Sequence, residues 1–359
     1  MTRGTSSNQW VFTAKNVTDV AVALSNHYNW RSAGILVDSV TGRRTQINAV
    51  YNPAHPEYAQ VAGYARKTVD LITHKLPGIP FPYPHITIVD GLDAMEYPMM
   101  VNDLPFKDPA DAIEFTAHEV FHSLFPFMVG INETKYSFMD EGLATMTEFT
   151  FHPLIDSTIP IGNNTGDVNR AAGTEQDLPI MTLTPQLMGT ARYADKDMKP
   201  ALGFYYIREM LGEQRFNRAL KHFIEIWAGK HPTPYDLFNC MNAGAGLNMN
   251  WFWDNWFFHK YVPDLAISGV TIREQKGSNS PKAFVTIRRK GEAMVPVHLT
   301  IHYADSTTAH LTKTIACWSA GNRDITIPLP GATKKIVSIN LGAPFDADTD
   351  PGNNTWPPH

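Results

Sequence analysis

The chain has 359 residues, 43% hydrophobic and 18% charged, an ordinary globular composition with enough apolar material for a sizeable core and room for two or three domains. A formal net charge of −5 argues against nucleic acid as a main partner, and no run of about 18 apolar residues exists to span a membrane. The two cysteines, Cys240 and Cys317, are too few for a disulfide framework and lack CxxC spacing; they read as core thiols, with a single bridge between them left open.

In chain order, Met1 to Asn8 is a polar, loose start, and residues 1–20 lack the apolar core of a signal peptide. The stretch up to Trp30 reads as a connector arriving from something upstream. From Ile35 to Tyr51 two strand-like runs flank a turn at Thr41-Gly42. Pro56 to Lys75 carries apolar residues at helical spacing and stops at Pro77-Gly78. His85 to Val89 is a short strand, and DGLDAMEYPMMVND follows from Asp90 to Asp103.

The next helix is predicted to start at Asp108-Pro109, an N-cap followed by a first-turn proline, and to end by Pro126. A loop through Asn132 leads to a helix holding Glu141 and Glu148. Thr158 to Asp177, rich in Gly, Asn, Thr and Asp, reads as a surface loop. Pro200 to Leu211, Gln214 to Lys230 and a segment beginning at Pro234 are predicted helices, and Trp251, Trp253 and Trp256 read as core. Beyond Val262-Pro263 the pattern changes to short alternating strands, among them a run over Leu311 to Trp318, which suggests a β-sandwich of about a hundred residues. The tail from Asp346 is irregular.

The stretch TAHEVFHSLF, Thr116 to Phe125, carries the chemistry. His118 and His122 are four apart, which places both rings on one helix face with Glu119 between them. This HExxH pattern suits two imidazoles on a zinc ion and a glutamate working on its water. The bland alternative, a surface helix with two solvated histidines, is weakened by the apolar Ala117, Val120, Phe121, Leu124 and Phe125 around the motif. Glu141, eighteen residues beyond His122, offers a third ligand and leaves one tetrahedral position open, the arrangement of a catalytic zinc. Glu148 falls two helical turns after Glu141, on the same face.

HEVFHSLFPFMVGINETKYSFMDEGLA resembles the gluzincin zinc aminopeptidases, the family of alanyl aminopeptidase and leukotriene hydrolase. Asp93-Ala94-Met95-Glu96-Tyr97 resembles that family's Gly-x-Met-Glu-Asn stretch in its bacterial GMEYP form. The resemblance implies an α+β fold: a thermolysin-like zinc metallopeptidase catalytic domain over residues 35–262, then a C-terminal β-sandwich over 263–359. Residues 1–34 would join them to a missing upstream β domain, in a parent chain that is periplasmic or secreted. It further implies one Zn2+ per chain held by His118, His122 and Glu141, with Glu119 as proton shuttle. Glu96, with Ala94 and Met95, would take the free N-terminus of a peptide substrate, and Glu148 would support a zinc-ligand histidine. The sequence does not set the oligomeric state.

The chain departs from the family at one functional position. The tyrosine that stabilises the oxyanion aligns with Asp197, two residues before Lys199, and the nearest tyrosine is Tyr193. Either Tyr193 reaches the site, or a donor of the kind typically worth about a hundred- to thousandfold in rate is missing. The expected function is therefore aminopeptidase action on peptides. The alternatives are a weakened or inactive zinc peptide-binding protein, and a zinc endopeptidase or epoxide hydrolase.

Overall fold

The computed structural model describes residues 10–91, 93–160, 165–273, 282–331 and 334–357. The polar start at residues 1–8, and residues 161–164 of the expected surface loop, lie outside them. The chain divides into two compact units: Met1–Ile131, Thr147–Ile159 and Ile224–Pro232 form the first, and Asn132–Met146, Pro160–Phe223 and Thr233–His359 the second.

The first unit is built on a five-stranded sheet of β1 (Asn29–Asp38), β2 (Arg43–Tyr51), β3 (His85–Asp90), β4 (Met95–Tyr97) and β5 (Met100–Asp103), in the order β1-β2-β3-β5-β4. β1 and β2 form an antiparallel hairpin whose turn is relieved by Gly42 at φ 72°. β2 and β3 are parallel, which requires a crossover, and α1 (Val61–His74) supplies it. Val61, Ala62, Ala65, Val69 and Ile72 fall on one face of α1 and are buried. β4 lies at the sheet edge, antiparallel to β5, with Glu96 opposite Val101.

α2 (Pro109–Phe121) belongs to the same unit. Its N-cap, Asp108, accepts a bond from the Ala110 N–H at 2.9 Å, and Pro109 opens the first turn, as the sequence predicts. α3 (Glu133–Tyr136) precedes α4 (Glu141–Ile155), a continuous helix whose residues from Thr147 onward belong to the first unit. Phe121 of α2 meets Phe151 of α4 edge to face, with ring centroids 6.1 Å apart.

The second unit holds α5 (Gly166–Ala171), α6 (Thr190–Tyr193), α7 (Lys199–Leu211), most of α8 (Glu213–Trp227), α9 (Pro234–Ala245) and α10 (Asn250–Phe257). Of the three tryptophans expected in the core, Trp253 and Trp256 are each 2% exposed and Trp253 stacks on Phe238 with centroids 4.7 Å apart, while Trp251 is only half-buried. The chain after Val262 forms two antiparallel sheets. One joins β6 (Leu265–Arg273), β7 (Lys282–Arg289) and β10 (Asp324–Pro328); the other joins β8 (Val297–Tyr303), β9 (Thr308–Lys313), β11 (Ile336–Leu341) and β12 (Thr355–Trp356). Mixed α+β architecture with C-terminal β-sheets is therefore the fold.

Two local expectations are corrected. The polar stretch 158–177 is not all loop: α5 forms inside it, because Val168 and Ala171, three apart, share a face that is buried. The strand expected over Leu311 to Trp318 ends at Lys313. Ile315–Trp318 instead turns as a single 3₁₀ turn that buries Ile315 and Trp318, and the Trp318 indole donates to the Val295 carbonyl at 2.8 Å. Neither Cys240 nor Cys317 is in a disulfide.

Candidate active site

The site starts from α2 and the turn that ends it. His118 lies in the last turn of α2, and His122 follows as its C-cap. Their rings are 4.7 Å apart between centroids. Nδ1 of His118 pairs with Oε1 of Glu148 at 2.8 Å, and Nδ1 of His122 with the Phe125 carbonyl at 2.9 Å. A carboxylate and a carbonyl both accept, so each Nδ1 carries a proton, and in the neutral ring Nε2 is then the nitrogen that can bind a metal. Phe125 leaves helical geometry at φ −135°, ψ 115° within the wide turn Ser123–Met128 that carries its carbonyl.

Glu141 opens α4. It is the third ligand expected from the sequence, in the second unit, while His118 and His122 belong to the first. Two imidazole nitrogens and a carboxylate oxygen form the donor set of a zinc centre with an open position. Gly142 follows Glu141 for a spatial reason. A Cβ there would stand 2.7 Å from Cβ of Pro200 and 3.3 Å from a ring carbon of Phe204, so α7 approaches the start of α4 only because this residue has no side chain.

Glu119 is 4% exposed, and its Oε2 has no hydrogen-bond partner among the described residues. Burial pushes its carboxyl up to about 8; His118 and His122 pull the other way, while Glu96 and Asp103 add to the rise. A buried acid of this kind suits a cation and a water beside it, and a cation would draw the carboxyl back down. Asp103, which accepts a bond from Thr116 Oγ1 at 3.0 Å, is pushed up to about 7 by burial.

Glu96, 9% exposed on the edge strand β4, has a carboxylate oxygen within 4.8 Å of ligand atoms of Glu119 and His122. Met95 is 41% exposed, and the Ala94 N–H donates to Asp93 Oδ1 at 2.9 Å. Tyr193 ends α6 with 63% exposure. Asp197 lies in the wide turn Ala194–Met198, where its Oδ1 is 2.6 Å from Nζ of Lys196.

Sequence reasoning missed Glu114, His152 and Lys196. Glu114 stands one turn before His118 and His152 one turn after Glu148, and their side chains meet at 2.8 Å. The pair repeats the His118–Glu148 contact with the helices' roles exchanged, and the i,i+4 spacing on each helix was the available signal. Lys196 places Nζ 2.6 Å from Oε1 of Glu141. No spacing rule announces that contact, because it depends on how the turn before α7 is laid down.

Residues 95–256 match the peptidase family M1 domain. Glu96, His118, Glu119, His122, Glu141, Glu148, Tyr193 and Lys196 all fall inside the matched segment, and Ala94 lies one residue ahead of it. Among solved structures, the chain is similar to Legionella pneumophila aminopeptidase A, crystallised in complex with aspartic acid, at 16% identity and a TM-score of 0.64. The match covers 89% of this chain and 38% of that one, so the present chain spans well under half the length of its structural neighbour. No curated protein matches the sequence.

Proposed function

We propose that this chain is a zinc-dependent aminopeptidase, removing N-terminal residues from peptides. The observation that carries the reading is the convergence of a buried Glu96 with Glu119 and His122, next to two histidines whose Nδ1 atoms are already engaged. Metal-assisted hydrolysis needs only the histidines, Glu141 and Glu119. A further carboxylate on the edge strand has a use when the substrate brings an ammonium group, which forms a charge-assisted bond to it.

His118, His122 and Glu141 would hold the zinc, which when bound acidifies water and polarises a peptide carbonyl. Glu96 orients the substrate by its free amine, so the first peptide bond comes beside Glu119. The exposed edge of β4, with Ala94 and Met95, runs beside the peptide. Water adds to the carbonyl carbon as Glu119 takes one of its protons. The C–N bond then breaks, and Glu119 passes that proton to the departing nitrogen. The products are one free amino acid and a peptide shorter by one residue. Glu148 fixes the His118 ring throughout. The developing charge on the carbonyl oxygen calls for a hydrogen-bond donor, the role expected of Tyr193.

The test compares a zinc-loaded chain on a peptide with a free N-terminus and on its N-acetylated form. Chelator-sensitive cleavage of the free form alone supports the reading. Equal cleavage of both forms points to an endopeptidase, and tight peptide binding without cleavage to a binding protein; either result overturns it.

A further inference from the structure

Lys196 is a half-buried cation paired with a candidate metal ligand. It sits in the wide turn Ala194–Met198, its side chain 13% exposed. Its Nζ lies 2.6 Å from Oε1 of Glu141 and 2.6 Å from Oδ1 of Asp197. An ammonium has three N–H donors, one more than the two carboxylates at ion-pair distance from it.

The charge balance argues for a role. A lysine on Glu141 alone would draw off the negative charge that a metal needs from that ligand. Asp197 prevents this: Lys196 and Asp197 together are neutral, so Glu141 keeps its charge while the ammonium stays beside it. Asp197 itself, an unfavourable neighbour for a developing oxyanion, is neutralised by the same contact. Tyr193, by contrast, is 63% exposed.

Building on the aminopeptidase reading, we propose that Lys196 supplies the hydrogen bond to the oxyanion that forms on the scissile carbonyl, with Asp197 as the positioning residue that holds it there. A point charge with rotatable donors suits this task, since the negative charge it meets exists only as the carbonyl becomes tetrahedral.

The experiment compares Lys196→Met and Lys196→Arg with the unaltered chain in three measurements. These are zinc affinity by chelator competition, affinity for a phosphinic dipeptide (a charged tetrahedral mimic) by calorimetry, and kcat with KM on an aminoacyl reporter at saturating zinc. Lys196→Met is expected to bind one zinc no more weakly than the parent. It should lose about a hundredfold in phosphinic affinity and in kcat, with KM within about threefold. Lys196→Arg, which keeps a donor, should recover at least about tenfold of that loss. The proposal is overturned if Lys196→Met binds the phosphinic dipeptide as the parent does, whether or not its zinc affinity changes. A parent chain that binds zinc but hydrolyses nothing defeats the aminopeptidase reading alone, because the phosphinic comparison needs no turnover.

Discussion

His118 and Glu148 meet at 2.8 Å, and the contact fixes which ring nitrogen of His118 is left for a metal. Glu148→Gln would replace a charged acceptor by a neutral one, and Glu148→Ala would leave Nδ1 to find another partner. Outer carboxylates of this kind typically carry about 10- to 100-fold in metal affinity. Zinc affinity of Glu148→Ala, measured by chelator competition, should fall by that amount, with a smaller fall for Glu148→Gln. Unchanged affinity in both would mean that the ring is oriented by something else.

Gly142 makes a separate prediction about the third ligand. Alanine there brings a methyl to 2.7 Å from Pro200, a contact that only a backbone shift relieves. Overpacking of this kind typically costs about 1–3 kcal/mol. The shift falls on the residue next to Glu141, so Gly142→Ala should lower both the melting temperature and the zinc affinity. A control such as Gly63→Ala, where a Cβ meets nothing within 4 Å, should lower neither.

An ionic lock ties the C-terminal β-sheet region to α7. His298 on β8 pairs with Asp346 at 2.8 Å through Nδ1 and with Glu209 of α7 at 2.7 Å through Nε2. Burial works to discharge the ring, but the two carboxylates win and push it up to about 10; burial in turn pushes the Asp346 carboxyl up against the pull of His298. For a histidine raised from 6.5, the stabilisation is complete below about pH 6.5 and is lost as pH rises through about 10. Thermal stability should therefore decline across that window, and His298→Gln should flatten the decline. His298→Ala, which leaves two carboxylates without their cation, should cost on the order of 3 kcal/mol at neutral pH by denaturant titration. A wild-type profile with no alkaline decline would refute the lock.

What could be read from the chain follows from whether the cause is local. Asp108-Pro109 sets the start of α2 by capping chemistry, and HExxH places two rings by helical spacing alone; both are written in adjacent residues. Glu148 could be placed because seven residues of one helix is a fixed rotation. Lys196 could not, since its contact with Glu141 depends on the path of the chain between them. α5 stayed hidden because two small apolar residues in a polar stretch are a weak signal. Ile315–Trp318 read as strand because β-branched and aromatic residues favour one, until burial of Trp318 decided otherwise.

The account stands on one ion reached by His118, His122 and Glu141. Crystals grown with zinc, measured on either side of the zinc absorption edge, test it directly. The account predicts one anomalous peak, bounded by Nε2 of His118, Nε2 of His122 and the Glu141 carboxylate, with Glu119 facing the remaining position. A peak elsewhere on the chain, or none at saturating zinc, would contradict it.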